Sequence, residues 1–228
     1  MTKKKNVIST LFAYEKPKST LSEKFRGIRS NIMFSHVDKE VNSLLITSEK
    51  PSSGKSTISA NIAVTYAQAG YKTLLIDGDM RKPTQHYFFN IDNSSGLSSL
   101  TINKAIYSEA IKETKVDNLG ILTAGPTPPN PSELIASNNF KAIYNELLEH
   151  YDFIVIDTPP INTVTDAQIY AQTIGNCALV IDAEKNNKNE VKKAQDLITK
   201  SGGKLLGAIL NKMPLDKSSS YYYYYGDE

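Results

Sequence analysis

Cysteine is almost missing from this chain. Cys177 is the only one among 228 residues, so no intrachain disulfide can hold the fold, and its place in the apolar run Cys177 to Ile181 reads as a small buried side chain, neither bridged nor catalytic. Long apolar runs are missing too: none approaches the roughly 20 residues that cross a bilayer. The first ten residues, MTKKKNVIST, lack the hydrophobic region of a secretory signal. A cytoplasmic location is expected. Net charge is small, +2, but unevenly spread, with nine Lys/Arg against four Asp/Glu in residues 1–40 and seventeen against twenty beyond. Such a basic front suits anionic lipid or an acidic partner, or is a merely solvated arm. No dense Lys/Arg cluster interleaved with aromatics occurs, which argues against nucleic acid. What remains has the size for one α/β domain with a well-buried sheet.

The most informative stretch is Leu44 to Thr57, LLITSEKPSSGKST. Leu44 to Thr47 read as a buried strand, Ser48 to Ser53 lack any large apolar side chain, and Ile58 to Ala69 read as a helix. A loop between a strand and a helix N-terminus aims backbone N–H groups at a polyphosphate, helped by the helix dipole. The P-loop pattern asks for glycine five positions before Gly54, where this chain has Glu49. Ser53, Gly54 and Thr57 remain as lining, Lys55 can reach the β- and γ-phosphate oxygens of a nucleotide such as ATP, and the Ser56 hydroxyl can sit on Mg2+. Lys50, five residues before Lys55, has the spacing of the deviant Walker A loop of the MinD and ParA ATPases. Those have Gly-Gly where this chain has Pro51-Ser52, and the role of Lys50 stays open.

Taken in order, residues 1–18 read as an extended or mobile basic arm. Leu21, Phe25, Ile28 and Ile32 mark the buried face of a helix from Leu21 to Phe34, with Ser19 or Ser22 as cap. Glu23, Arg26 and Arg29 stand three apart on a neighbouring face. They suit pairing with another subunit, or form an exposed face with an internal ion pair. Gly70 stops the second helix. A strand at Thr73 to Ile76 then runs into Asp77-Gly78-Asp79, two carboxylates at the carboxyl edge of a parallel sheet. One can orient or bind the metal and the other accept a proton. Asp77 is the preferred acceptor, although the two can exchange roles. Arg81 and Lys82 serve an anionic substrate or packing. Asn118 to Thr123 read as a strand, GPTPPNP from Gly125 to Pro131 as a rigid loop, Ser132 as the cap of a helix from Glu133, and Phe140 to Leu148 as an amphipathic segment. Tyr151 to Pro160 is an apolar strand ending in Asp157, the Walker B position, followed by a switch-like loop through Asp166. Strands at Ala178 to Asp182 and Lys204 to Asn211 enclose a helix from Glu190 to Thr199.

This alternation predicts a mainly parallel, doubly wound α/β sheet. The domain spans residues 19–211, and a flexible tail 212–228. Asn211 either reads an adenine edge or forms a turn. The tail carries Tyr221, Tyr222, Tyr223, Tyr224 and Tyr225 behind three serines. Five consecutive tyrosines cannot all be buried by one element, so they are displayed or form a low-complexity tail without a role. The last parallel strand should end at the phosphate-loop edge, and the fourteen residues from Asn211 to Tyr225 extend roughly 45 Å at most.

Walker A ending Gly54-Lys55-Ser56, LLIDGDMR around Asp77 and Asp79, FIVID ending at Asp157, the Glu23/Arg26/Arg29 row and the terminal tyrosines together resemble the bacterial tyrosine kinases of capsule and exopolysaccharide systems. The likeness is greatest to the separate cytoplasmic kinase subunit of Gram-positive bacteria. It implies a P-loop fold of the MinD/ParA type, use of ATP and Mg2+, and catalytic roles for Lys55, Asp77, Asp79 and Asp157, with Ser56, Asp79 and Asp157 toward the metal. It further implies trans autophosphorylation of the tail, a homo-oligomeric ring, commonly an octamer, through Glu23, Arg26 and Arg29, and protein tyrosine substrates. A membrane adaptor of the polysaccharide co-polymerase type would activate the chain and recruit it to the inner face of the membrane. The rival is a MinD- or ParA-like ATPase switch whose tail binds a partner. A third reading is an assembly protein that binds ATP without useful turnover.

Overall fold

The computed structural model describes residues 10–35, 41–103 and 105–213. Its strands are β1 (Ser43–Ser48), β2 (Thr73–Asp77), β3 (Ile111–Glu113), β4 (Leu119–Leu122), β5 (Phe153–Asp157), β6 (Asn176–Asp182) and β7 (Lys204–Asn211). The helices are α1 (Phe12–Glu15), α2 (Thr20–Met33), α3 (Lys55–Gln68), α4 (Gln85–Phe89), α5 (Leu97–Thr101), α6 (Tyr107–Ala110), α7 (Pro131–Ala136), α8 (Asn138–His150), α9 (Asp166–Ile174) and α10 (Lys188–Lys200).

The strands form one sheet in the order β3-β4-β2-β5-β1-β6-β7, parallel except for β3 against β4. Near-continuous apolar strands are what a parallel sheet covered on both faces requires, and β1, β2 and β5 are buried at every position. Successive residues supply opposite faces. Leu44 and Ile46 join Val155 and Val180 in a core roofed by α2 and α3, whereas Leu45, Ile154 and Ile156 join Phe140, Tyr144, Tyr170 and Ile198 beneath α8, α9 and α10. Cys177 lies in the second core, buried as expected, where desolvation pushes its thiol up to about 12.

Two local expectations need correction. Residues 10–18 are not an extended arm: α1 packs with Ala13 fully buried, its amide donating to Asn61 Oδ1 at 2.8 Å. Asn61 Nδ2 also donates to the carbonyls of Thr10 (2.7 Å) and Thr57 (2.8 Å), so a buried asparagine of α3 satisfies this segment's backbone. Ser132 does not cap a helix. α7 already starts at Pro131, a favoured first-turn residue because its missing N–H would lack an intrahelical partner. Ser19 does cap α2, accepting from the Ser22 amide at 3.3 Å. The tyrosine run Tyr221 to Tyr225 lies outside the described residues.

Candidate functional site

The adjacent order β2-β5-β1 sets the carboxyl ends of three apolar strands side by side, and Asp77 stands in register with Asp157. The loop from β1 into α3 turns tightly. Ser52 (φ 63°) and Gly54 (φ 94°) both occupy the left-handed region. At Gly54 a side chain would be strained, and its Cβ would stand 2.1 Å from Asn211 Nδ2.

Glu49, where the P-loop pattern has glycine, is buried behind the loop. Its Oε2 accepts from Ser53 Oγ at 3.2 Å and its Oε1 from the Asp182 amide at 3.3 Å. The departure from the pattern is therefore a strut between β1 and β6. Asn211 Nδ2 donates to Ser53 O at 2.9 Å, and Lys212 Nζ to Ser52 O at 2.7 Å and to Asp182 Oδ2 at 2.9 Å. The Lys212 hydrogen bond holds the Asp182 carboxyl below its usual range. The end of β7 is thus tied to the phosphate loop, at the sheet edge expected from its parallel direction. Lys50 joins the same carboxylates: it donates to the Lys185 carbonyl and lies 3.8 Å from Glu49 Oε1 and 3.9 Å from Asp182 Oδ2.

Lys55, the first residue of α3, gathers the remaining groups. Its Nζ is 3.2 Å from Asp79 Oδ2, 3.4 Å from Asp157 Oδ1 and 3.2 Å from Ser56 Oγ. Burial opposes its charge, but Asp157 and Asp79 outweigh this and hold the ammonium above the usual lysine range. Asp77 is fully buried behind this group. Its Oδ2 accepts from the amides of Thr84 and Gln85, each at 2.9 Å, and its Oδ1 from that of Asp79 at 3.3 Å. Burial first, and the charge of Asp157 second, push it up to about 7, against those backbone donors. The Gly78 amide donates to Asp157 O at 2.8 Å, where an added Cβ would stand only 2.9 Å from that carbonyl.

One functional candidate, Gln85, escaped the sequence. Gln85 donates from Nε2 to Asp157 Oδ2 at 2.8 Å and to Ser56 O at 3.0 Å. Arg81 makes a bidentate pair with buried Asp166, Nε to Oδ2 at 2.8 Å and Nη2 to Oδ1 at 2.9 Å, and Ser132 Oγ donates to the same carboxylate at 2.6 Å. Burial raises the Asp166 carboxyl, but the Arg81 and Ser132 hydrogen bonds prevail and hold it low. Arg81 therefore belongs to packing, one of its two sequence readings, holding the turn after β2 against α7 and α9. On α2, Arg26 forks onto Glu23 and Arg29 Nη1 donates to Thr65 O at 2.6 Å.

The donor set fits magnesium: a serine hydroxyl and carboxylates are hard oxygen ligands. Among the described residues no three His, Cys, Asp or Glu side chains form a metal cage. That suits an ion held by one or two protein groups together with phosphate and water. Cavities around Lys72, Tyr107 and Tyr151 and beside Pro126 and Leu134 lie away from this group, and it is side-chain chemistry that locates the site.

A family model described as an AAA domain matches residues 41–185. The chain is 75% identical to CapB of Staphylococcus aureus over 228 residues, the whole of both chains. It is 44% identical to the tyrosine-protein kinase YwqD of Bacillus subtilis over 216 residues, 95% of this chain and 91% of that one. Among solved structures, the chimerical protein CapA2B2 superposes with a TM-score of 0.88 at 59% identity, covering 90% of this chain and 91% of that chain. MinD of Pyrococcus horikoshii, solved with Mg-ADP, gives a TM-score of 0.65 at 26% identity over 77% of this chain and 72% of that chain. The parallel P-loop architecture expected from the sequence is the one observed.

Proposed function

Because the chain belongs to the AAA-domain family of bacterial tyrosine-protein kinases, we propose that it transfers the γ-phosphoryl group of ATP to Tyr221 through Tyr225 of a neighbouring copy. The observation that carries this reading is the convergence of Lys55 on Ser56, Asp79 and Asp157 at the start of α3. The phosphate loop and the α3 N-terminus bind the phosphates, and Lys55 exchanges its carboxylate partners for phosphate oxygens. Ser56, Asp79 and Asp157 hold magnesium, directly or through water; when bound, the ion neutralises phosphate charge. Asp77 accepts the tyrosine proton. A tyrosine hydroxyl has a pKa near 10, yet the transfer passes through a loose transition state, so positioning and electrostatics matter more than base strength. Asp77 is covered by the amides of the turn that follows it, so the hydroxyl reaches it only as that turn opens.

Support for the tail as substrate comes from the other end of the chain. β7 ends against Ser52 and Ser53, so the last described residues lie beside the phosphate loop. The ring through Glu23, Arg26 and Arg29, the membrane adaptor and recruitment to the membrane belong to the same proposal. So does a role in capsule synthesis and export; no described helix is long and apolar enough to cross a membrane.

The test mixes two full-length variants with Mg-ATP, with and without the adaptor's cytoplasmic peptide. Lys55→Met can accept but not transfer, and the five-fold Tyr→Phe tail can transfer but not accept. Phosphate on Tyr221 to Tyr225 of the Lys55→Met chain is the expected result. ATP hydrolysis with no labelled tail in the mixture or in the wild type would replace this reading with the ATPase switch.

A further inference from the structure

Gln85 is fully buried, an unusual place for an amide unless its hydrogen bonds are made. Its main-chain N–H donates to Asp77 Oδ2, and its Nε2 donates to Asp157 Oδ2 and to the Ser56 carbonyl. These acceptors belong to three segments: the end of β2, the end of β5 and the first turn of α3. No other described residue hydrogen-bonds to Asp77, Asp157 and Ser56 together.

The neighbours fix the amide's orientation. Both partners of Nε2 are acceptors, so the flipped amide would set Oε1 against a carboxylate and a carbonyl. Both Nε2 hydrogens are consequently used. Oε1 is buried without a protein donor, which suits the hydrogen of an ordered water at this edge.

Asp157 is thereby divided. Its Oδ2 is committed to Gln85, while Oδ1 faces Lys55 Nζ at 3.4 Å and Ser59 Oγ at 3.5 Å. A carboxylate gripped at one oxygen by a charge-assisted hydrogen bond loses the freedom to rotate the other. The same amide nitrogen holds the backbone of Ser56. We propose that Gln85 is a positioning residue for the kinase reaction, fixing Asp157 relative to Ser56 so that both present their free oxygens to one magnesium ion. The proposal rests on the assignment of Ser56 and Asp157 to the metal. Groups that orient ligands in this way change metal affinity by about 10- to 100-fold when removed.

Two variants of the full chain test it. Gln85→Met keeps the length but has no donor, and Gln85→Glu keeps the shape but turns acceptors toward acceptors. ADP affinity is measured by calorimetry in Mg2+ and in EDTA, with circular dichroism as the check on folding. The expected result is unchanged affinity in EDTA and a magnesium-dependent gain that shrinks by about 10- to 100-fold, more in Gln85→Glu than in Gln85→Met. Either of two results overturns the proposal: a magnesium gain equal to that of the wild type in both variants, or equal losses in Mg2+ and EDTA, which would make Gln85 a packing residue only. Failure of the underlying metal assignment is read separately, on the wild type, as ADP binding that does not respond to magnesium.

Discussion

Asp77 and Asp79 sit two positions apart but in different surroundings. Asp77 is enclosed by three backbone amides; Asp79 is paired with Lys55 and accepts from the Lys82 amide at 3.0 Å. If Asp77 accepts the proton and Asp79 serves the metal, the two asparagine variants fail differently. Asp77→Asn should slow tail labelling by about 100-fold, the low end for a general base because the loose transition state asks little of it, with the magnesium requirement unchanged. Asp79→Asn should raise the magnesium concentration needed for half-maximal labelling. Rates measured across a magnesium titration distinguish them, and the opposite pattern would exchange the two roles. Spacing in the sequence picked out Lys55, Ser56, Asp79 and Asp157, because a P-loop and two strand ends announce themselves locally. Gln85 had no such signal, and for Glu49 and Arg81 nothing nearby in the chain named what they bind. Their partners Asp157, Asp182 and Asp166 lie 72, 133 and 85 positions away, and only the assembled sheet brings them together.

At the scale of elements, the same distinction separates what periodicity revealed from what it did not. α2, α8 and α10 run 13 or 14 residues, long enough to repeat an apolar face, whereas α3, just as long, is buried on every side from Ile58 to Ala67 and was legible from its place after the phosphate loop. α1, α4, α5 and α6 have four or five, barely one turn, and tertiary contacts rather than pattern hold them. For α1 the decisive contact is Asn61. Asn61→Ala should cost about 1–3 kcal/mol, since it strands a buried amide, and limited proteolysis should then cut within residues 10–16 under conditions that spare the wild type. The Arg81–Asp166 pair joins the turn after β2 to α9 in a comparable way. Arg81→Met should destabilise by about 1–3 kcal/mol at neutral pH, toward the low end because Arg81 is 40% exposed. Asp166 has a depressed folded-state pKa, so its contribution is present above its unfolded value and lost as pH falls through the folded one. Denaturant titrations should therefore show the gap between variant and wild type closing in acid. A gap independent of pH would mean that the cost is packing and not charge.

The behaviour of the whole molecule turns on whether copies meet through α2. Within one chain, Arg26 already forks onto Glu23 and donates to Pro17 O, while Arg29 reaches Thr65 O on α3. These bonds make the three side chains unequal as tests of a ring. Replacing Arg29 also removes a bond between α2 and α3, so a lower mass would not separate a lost interface from a loosened helix. Glu23 is different. Its side chain is 65% exposed and, among the described residues, bonded only to Arg26, one turn along the same helix, where such pairs contribute little to folding. Glu23→Lys places a cation among arginines and should disperse a ring by like-charge repulsion while leaving the thermal midpoint of the monomer in place. Light scattering of the full chain, paired with a thermal melt, measures both. An unchanged mass would move the interface away from this face. Phosphorylation supplies an independent route to the same end, since each phosphotyrosine adds about −1.5 to −2 charges. If the wild type assembles into rings, incubation with Mg-ATP should dissociate them as tail labelling proceeds, whereas rings of Lys55→Met should persist.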